Sequence, residues 1–146
     1  MVETTLQMDF VMFFRVIFAC LLGCFIGWER ERHRNITSAG IRTYGAISLG
    51  ACAFGIVGAT MLNSDPSRVA AQVVTGIGFL GGGIIFRQGD YVSGLTTAAT
   101  LWATAAVGLA VSVGMYLTSL LISALIFLLL YLPRMNWWKK ISRKLQ

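Results

Sequence analysis

The sequence has 146 residues, of which 56% are hydrophobic and only 12% are charged. An average soluble domain has about 25% charged residues, so this chain lacks the polar surface that a soluble globule of its size needs. The same hydrophobicity excludes intrinsic disorder. The composition therefore predicts an integral membrane protein, with room for four to six helical spans of roughly 20 residues and no separate soluble domain.

Five apolar stretches follow one another along the chain, at residues 10–28, 44–62, 69–86, 95–113 and 116–132. A single helix over the last two would be about 57 Å long, nearly twice a bilayer core of about 30 Å, so we predict a helical hairpin that turns at Gly114. The stretches are continuously apolar and lack the alternation of barrel strands. The predicted fold is all-α: a polytopic bundle of about five transmembrane helices, formed by residues 1–133.

The basic residues predict the orientation of this bundle. The segments after the first and third spans and the C-terminal tail share one side, and they hold Arg30, Arg32, Arg34, Arg42, Arg87, Arg134, Lys139, Lys140, Arg143 and Lys144. The opposite side holds Arg68. The positive-inside rule then places the N-terminus outside and the C-terminus in the cytoplasm. Topology alone explains the net charge of +6, and we expect no nucleic-acid partner.

Residues 134–146 are expected to form a basic, amphipathic cytoplasmic tail. Pro133 ends the last predicted helix, and Trp137 and Trp138 are typical of the headgroup level of a membrane. Basic residues near anionic lipid contribute about 1 kcal/mol each, which favours binding to anionic lipids of the inner leaflet. Docking of this tail to a protein partner is the alternative interpretation.

The sequence contains no pattern of residues typical of an enzyme. It lacks a catalytic triad, a phosphate loop after a strand and an HExxH motif. Cys20, Cys24 and Cys52 lie inside predicted spans, where cysteine is usually a small apolar filler, and His33 lies in the arginine-rich loop. We therefore expect no catalytic residues, no cofactor and no metal site.

Glycines are frequent inside the predicted spans. Gly23 and Gly27 in the first span, and Gly78 and Gly82 in the third, have the spacing that lets helices approach closely in a membrane. We predict that they pack helices together. The alternative is that the glycine-rich third helix unwinds and exposes its carbonyl groups to a cavity, as discontinuous transporter helices do.

Polar residues at membrane depth are the best candidates for function, because their burial in lipid is costly. Arg15 lies inside the first span, and Asp65 caps the predicted third helix, on which Asp65, Arg68, Gln72 and Thr75 recur at helical spacing. We predict that Arg15 and Asp65 form a buried pair, which Arg68 and Gln72 continue into the interior. The fourth span carries a second polar stripe, formed by Thr97, Thr100 and Thr104.

Several motifs together resemble the MgtC/SapB family of bacterial membrane proteins. They are RVIFACLLG at residues 15–23, IGWERE at 26–31, AGIRT at 39–43, DPSRVAAQVVTGIGFLGGG at 65–83 and VSGLTTAA at 92–99, with Gly50-Ala51 and Trp102. The resemblance covers roughly residues 15–114, which is the membrane domain of the family without the soluble cytoplasmic domain that many members carry after the last span.

The resemblance implies a multi-pass protein of the bacterial inner membrane, tied to growth in low magnesium and, in pathogens, to survival inside macrophages. It also implies a modulator of other membrane machinery, including the ATP synthase, more than a magnesium transporter. Matching of the motifs transfers the family's functional positions to Arg15, Glu29, Arg30, Arg42, Asp65, Arg68 and Gln72.

Two functional hypotheses remain open. In the first, the protein is non-enzymatic and homo-oligomeric, with a dimer favoured, and it modulates a membrane partner or ion homeostasis. In the second, it is a small ion channel or transporter whose path is lined by Arg15, Asp65, Arg68, Gln72 and the threonines of the fourth span. Two arginines to one acid make this stripe a poor Mg²⁺ site, because Mg²⁺ prefers carboxylates and water.

Overall fold

The computed structural model describes residues 2–32, 39–61 and 65–135, and for residues 2–5 it describes the backbone only. Within these ranges the chain forms five α-helices: α1 (Val2–Glu31), α2 (Ile41–Thr60), α3 (Pro66–Gly82), α4 (Leu95–Ser112) and α5 (Tyr116–Tyr131). An antiparallel hairpin of β1 (Phe86–Gln88) and β2 (Tyr91–Ser93) connects α3 to α4, and a short 3-10 turn over Leu132–Arg134 follows α5. The all-α membrane fold is confirmed.

Four of these segments are long and apolar enough to cross a membrane. In the described ranges they are Leu6–Glu31, Ile41–Thr60, Leu95–Ser112 and Tyr116–Arg134. Helix α3 has 17 residues, or about 26 Å of helix, and is not among these four segments. The crossing of the membrane by α3 therefore stays a prediction.

Helix α3 begins and ends where its sequence provides the signals. The Asp65 side chain accepts a hydrogen bond from the backbone N–H of Ser67 (2.9 Å), and Pro66 occupies the first turn, as the sequence predicts. The helix is continuous through Gly76 and Gly78 and ends at Gly82, so the alternative of an unwound third helix is wrong. Glycine costs about 1 kcal/mol in a helix relative to alanine, which is too little to break a helix held by neighbours.

The hairpin between α3 and α4 was not predicted from the sequence. The third span was expected to reach residue 86, but the chain leaves the helix at Gly82 and enters β1 at Phe86. Gly89, with a φ of +60°, provides the left-handed conformation of its tight turn, and Gln88 pairs with Tyr91 across it. Strands of three residues are too short to give a clear alternating pattern in the sequence.

The core lies between α1, α2 and α4. The largest fully buried side chains include Tyr44, Ile26, Leu101, Val107 and Val111. Close helix crossings are made by glycines: a Cβ at Gly23 would lie 2.5 Å from the carbonyl oxygen of Tyr44, and one at Gly27 would lie 2.7 Å from the Cα of Ile41. Gly23 and Gly27 therefore lie at the contact between α1 and α2.

The bundle has two ends, which we name by one residue each. The Glu29 end contains the C-terminal ends of α1, α3 and α5 and the start of α2 and α4, and the Asp65 end contains the opposite termini. At the Asp65 end the chain turns from α4 to α5 at Gly114, whose φ of +81° agrees with the predicted hairpin turn. Residues 33–38 and the predicted tail helix after Met135, with Trp137 and Trp138, lie outside the described residues.

Candidate functional site

An ion pair with a buried carboxylate joins α1 to the 3-10 turn after α5 at the Glu29 end. Glu29 lies in the last turns of α1 and is 3% exposed. Its Oε1 lies 2.6 Å from Nη1 of Arg134, which is the only ion pair among the described residues. A buried carboxylate requires a partner of this kind, because a lone charge at this depth is costly. The pair thus fixes the end of α5 against α1.

A second group of polar contacts connects α1, α2 and α4 beside this pair. Nη2 of Arg30 donates a hydrogen bond to Oγ1 of Thr97, in the first turn of α4. The hydroxyls of Tyr44 and Thr100 lie 2.6 Å apart, and Thr100 also donates to its own helix backbone. Tyr44 is therefore the donor to Thr100. We call Glu29, Arg30, Thr97 and Arg134 the Glu29 cluster.

The Glu29 cluster lines a cavity of about 530 Å³. Its polar wall also includes Ser93 and Thr96, and its apolar wall is formed by side chains of the hairpin, α4 and the end of α5, namely Tyr91, Val92, Leu95, Leu129, Leu130 and Pro133. Two guanidinium groups against one carboxylate leave the lining with a net positive charge. The cavity thus combines cationic donors with an apolar wall.

Arg15 lies at the Asp65 end and contacts the turn between α4 and α5. Its Nη1 donates to the carbonyl oxygen of Ser112 (2.7 Å), and its Nε donates to the hydroxyl of Tyr116 (3.2 Å). The last carbonyls of a helix lack partners within it and carry partial negative charge, which explains why a guanidinium is held there. The predicted pair of Arg15 with Asp65 is wrong, since Asp65 is exposed and caps its own helix.

The polar stripe of α3 points away from the core. Arg68, Gln72 and Thr75 are all exposed, so they do not continue a pair into the interior as predicted. The stripe of α4 behaves in the opposite way: Thr97, Thr100 and Thr104 are buried, and Thr104 donates to the carbonyl of Thr100. Arg42 is exposed at the start of α2 and does not line the charged cavity.

The structure adds residues that sequence reasoning missed. Arg134 was counted only as a basic residue of the tail, and the two tyrosines that bind Thr100 and Arg15, Tyr44 and Tyr116, were not singled out. A tyrosine at the start of an apolar span is the one signal that points to Tyr44. In the described ranges no group of three or more acidic, histidine or cysteine side chains is placed to hold a metal ion.

Comparison with known proteins finds the same family that the sequence motifs resemble. A model of the MgtC family matches residues 16–136. The chain belongs to the MgtC family. The match contains the whole Glu29 cluster and the whole of α3, so both lie within the region that defines MgtC proteins.

Relatives that carry the MgtC name are similar over most of this chain. Protein MgtC of Brucella abortus (strain 2308) is 52% identical over 100 residues, which is 66% of this chain and 40% of that protein. Protein MgtC of Salmonella typhimurium (strain LT2) is 40% identical over 120 residues, which is 82% of this chain and 50% of that protein. The chain thus spans about half the length of these relatives or less. No solved structure matches it.

Proposed function

We propose that this MgtC-family protein is a non-enzymatic modulator of Mg²⁺-linked ion homeostasis, which acts on a membrane partner such as the ATP synthase and works as a homodimer. The outward face of α3 carries this proposal. The family resemblance supplies the link to magnesium and to the partner, and the geometry supplies the surface.

The outward face of α3 is poorly suited to lipid. Arg68, Gln72 and Thr75 are exposed along it, and Phe79 is 85% exposed. A Cβ added at Gly78 or Gly82 would meet no atom within 4 Å. The packing predicted for these two glycines is thus not made within one chain, and a helix of another protein molecule is what this spacing favours.

The face of α3 carries one acidic and one basic side chain, so the same face of a second copy of this chain can complement it in charge. Asp65 and Arg68 are both exposed and stand one turn apart near the start of α3. In a dimer with its two-fold axis along the bundle, the carboxylate of one copy pairs with the guanidinium of the other, and the glycine ridges meet below them. We therefore propose α3 as the dimer contact.

The hypothesis of transport is less well supported. A path through the bundle requires polar residues that face water, whereas Thr100 and Thr104 are buried and bonded to neighbouring groups. Arg15 is engaged at the opposite end by the turn after α4. The fully buried side chains Leu101, Val107 and Val111 fill the region between the two ends.

The orientation and the membrane are also part of this proposal. The described basic residues Arg30, Arg32, Arg42, Arg87 and Arg134 lie at or next to the Glu29 end. By the positive-inside rule we place this end in the cytoplasm and the N-terminus outside, in the bacterial inner membrane.

The test introduces a bulky side chain on the α3 face. We expect Gly78→Leu to fold normally, since open space surrounds Gly78, but to lose self-association in nanodiscs and to fail in restoring low-magnesium growth to a strain that lacks the protein. Ala124→Leu, at an exposed position of α5, is the matched control and should retain both properties.

Two results would contradict the proposal. Retention of the dimer and of growth by Gly78→Leu would exclude the α3 contact. Ion flux through the purified protein in liposomes, lost in Asp65→Ala, would favour the transport hypothesis instead.

A further inference from the structure

An apolar groove lies between α2 and α3 and is separate from the Glu29 cluster. Two adjoining cavities of about 550 and 570 Å³ form it, and both are lined by Ile47 and Leu80. Among the described residues that line the groove, Thr43 and Gln72 have polar side chains, and the others are apolar or glycine. A Cβ added at Gly76 would meet no atom within 4 Å, so no described side chain fills the groove at that point.

Phe79 lies at the edge of this groove. Its side chain is 85% exposed, the highest exposed fraction among the large hydrophobic residues that the structure describes. On the same side of α3, three residues before it and four after it, stand Gly76 and Gly83, which have no side chain. The surface therefore presents a projecting ring beside a hollow. We propose that the groove receives the Phe79 ring of a second copy of this chain, an inference that rests on the α3 dimer proposed above.

A two-fold axis along the bundle makes the ring and the hollow complementary. The two α3 helices are then parallel, so the same residues of both copies lie at the same height. The partner's Phe79 is thus level with Gly76, Leu80 and Gly83, and it can pack between Leu80 and, across the groove, Ile47 of α2. Symmetry repeats this contact, so each dimer contains it twice.

Polar side chains on the same face favour a second copy over an acyl chain as the occupant. Gln72 is exposed and lines the groove, and its amide has both donors and an acceptor, so two copies can exchange hydrogen bonds that hydrocarbon cannot provide. Asp65 and Arg68, one turn apart at the start of the face, have opposite charges that complement each other between copies. Charge, amide and ring thus each find a partner in the same face of another molecule.

The first experiment identifies what contacts the ring of Phe79. In the full chain, Phe79 is replaced by p-benzoylphenylalanine, a photoreactive aromatic analogue, and the protein is placed in vesicles of phosphatidylethanolamine and phosphatidylglycerol. We expect irradiation to give a covalent dimer in which the attachment site, mapped by peptide mass spectrometry, lies on α2 around Ile47. The same analogue at Leu117, which is 83% exposed on α5, is the control and should give lipid adducts without a dimer.

The products separate a failure of the groove from a failure of the dimer. A covalent dimer attached only within α3 would leave the α3 contact in place and overturn the seating of Phe79 in the groove. Lipid adducts at Phe79, in a protein that still self-associates, would assign the groove to an acyl chain and would also overturn it. If the unmodified protein does not self-associate in the same vesicles, the dimer and the inference drawn from it both fail.

Two substitutions remove the ring and the hollow separately. Phe79→Ala deletes the ring, and Ala46→Phe fills the groove from α2, where Ala46 is an exposed lining residue. We expect each to weaken self-association roughly tenfold, measured by energy transfer between labelled copies in vesicles, because packing drives helix association in a membrane. Ala59→Phe introduces the same side chain at an exposed position of α2 outside the groove and should have no effect.

A mixture of the two variants tests whether the ring and the groove belong to different copies. A copy with Phe79→Ala keeps its groove and a copy with Ala46→Phe keeps its ring, so the mixed dimer retains one contact that each pure dimer lacks. We expect the mixed dimer to associate more tightly than either pure dimer. Equal association in all three would overturn the proposal. So would normal self-association of Phe79→Ala, which loses only an exposed side chain and should fold even if Ala46→Phe does not.

Discussion

Arg15 shows how a charged side chain at membrane depth is satisfied by backbone. Its guanidinium lies against the carbonyl of Ser112 and the hydroxyl of Tyr116, in place of the carboxylate that the sequence suggested. Sequence patterns pair side chains with side chains, so we predicted that Arg15 pairs with Asp65, the acid that starts the polar stripe of the third helix. The unpaired carbonyls at the end of α4 have no such signature, because every helix has them.

This arrangement predicts independent effects of Arg15 and Asp65 on stability. Arg15→Ala should lower the free energy of unfolding by about 1.5–3 kcal/mol, the range for a hydrogen bond to a charged group. Asp65→Ala should cost about 0.5–2 kcal/mol through loss of the helix cap. The double variant should show the sum, because the two side chains share no partner. Unfolding in detergent, followed by circular dichroism, provides the measurement. If the effects of the two substitutions differ from additivity by well more than the experimental error, Arg15 and Asp65 do interact as a pair.

The glycines of the helices divide into two groups by what surrounds them. Gly23, Gly27 and Gly108 lie where another helix backbone passes within a few ångströms. Gly50, by contrast, has open space beside it, as Gly78 does. Spacing in the sequence predicted Gly23 and Gly27 at a contact, but it cannot tell a contact within the chain from a face turned outward. That difference depends on which way the whole helix is rotated in the bundle.

Replacement of one glycine from each group by alanine should change stability in opposite directions. A Cβ at Gly108 would lie 2.1 Å from the carbonyl oxygen of Ser48, so Gly108→Ala must separate α4 from α2 and should cost about 1–3 kcal/mol, as overpacking does. Gly50→Ala, in α2 itself, should stabilise the protein by up to about 1 kcal/mol through helix propensity. Thermal unfolding of the two purified variants tests this contrast, and a stable Gly108→Ala would contradict the observed crossing.

At the scale of the whole molecule, composition and apolar runs predicted the fold class and the order of the five helices. Helix ends differ by a few residues from the predicted spans, except for α1, which begins at Val2 instead of residue 10. The Glu29 cluster could not be predicted from composition and apolar stretches. Arg30 and Thr97 are 67 positions apart in the sequence, and only the packing of α1 against α4 brings them together.

The orientation of the molecule is predicted by charge alone, and it can be tested with single cysteines. In a variant with Cys20, Cys24 and Cys52 replaced by alanine, Ser67→Cys marks the Asp65 end and Gln88→Cys marks the hairpin at the Glu29 end. Both positions are exposed.

A membrane-impermeant maleimide should label the cysteine at position 67 in intact spheroplasts and the one at position 88 only after permeabilisation. The physical reason is that arginines flank the Glu29 end, and moving them across the membrane during insertion is unfavourable. The reverse labelling pattern would place the Glu29 end outside the cell and would contradict the orientation that we propose from the basic residues.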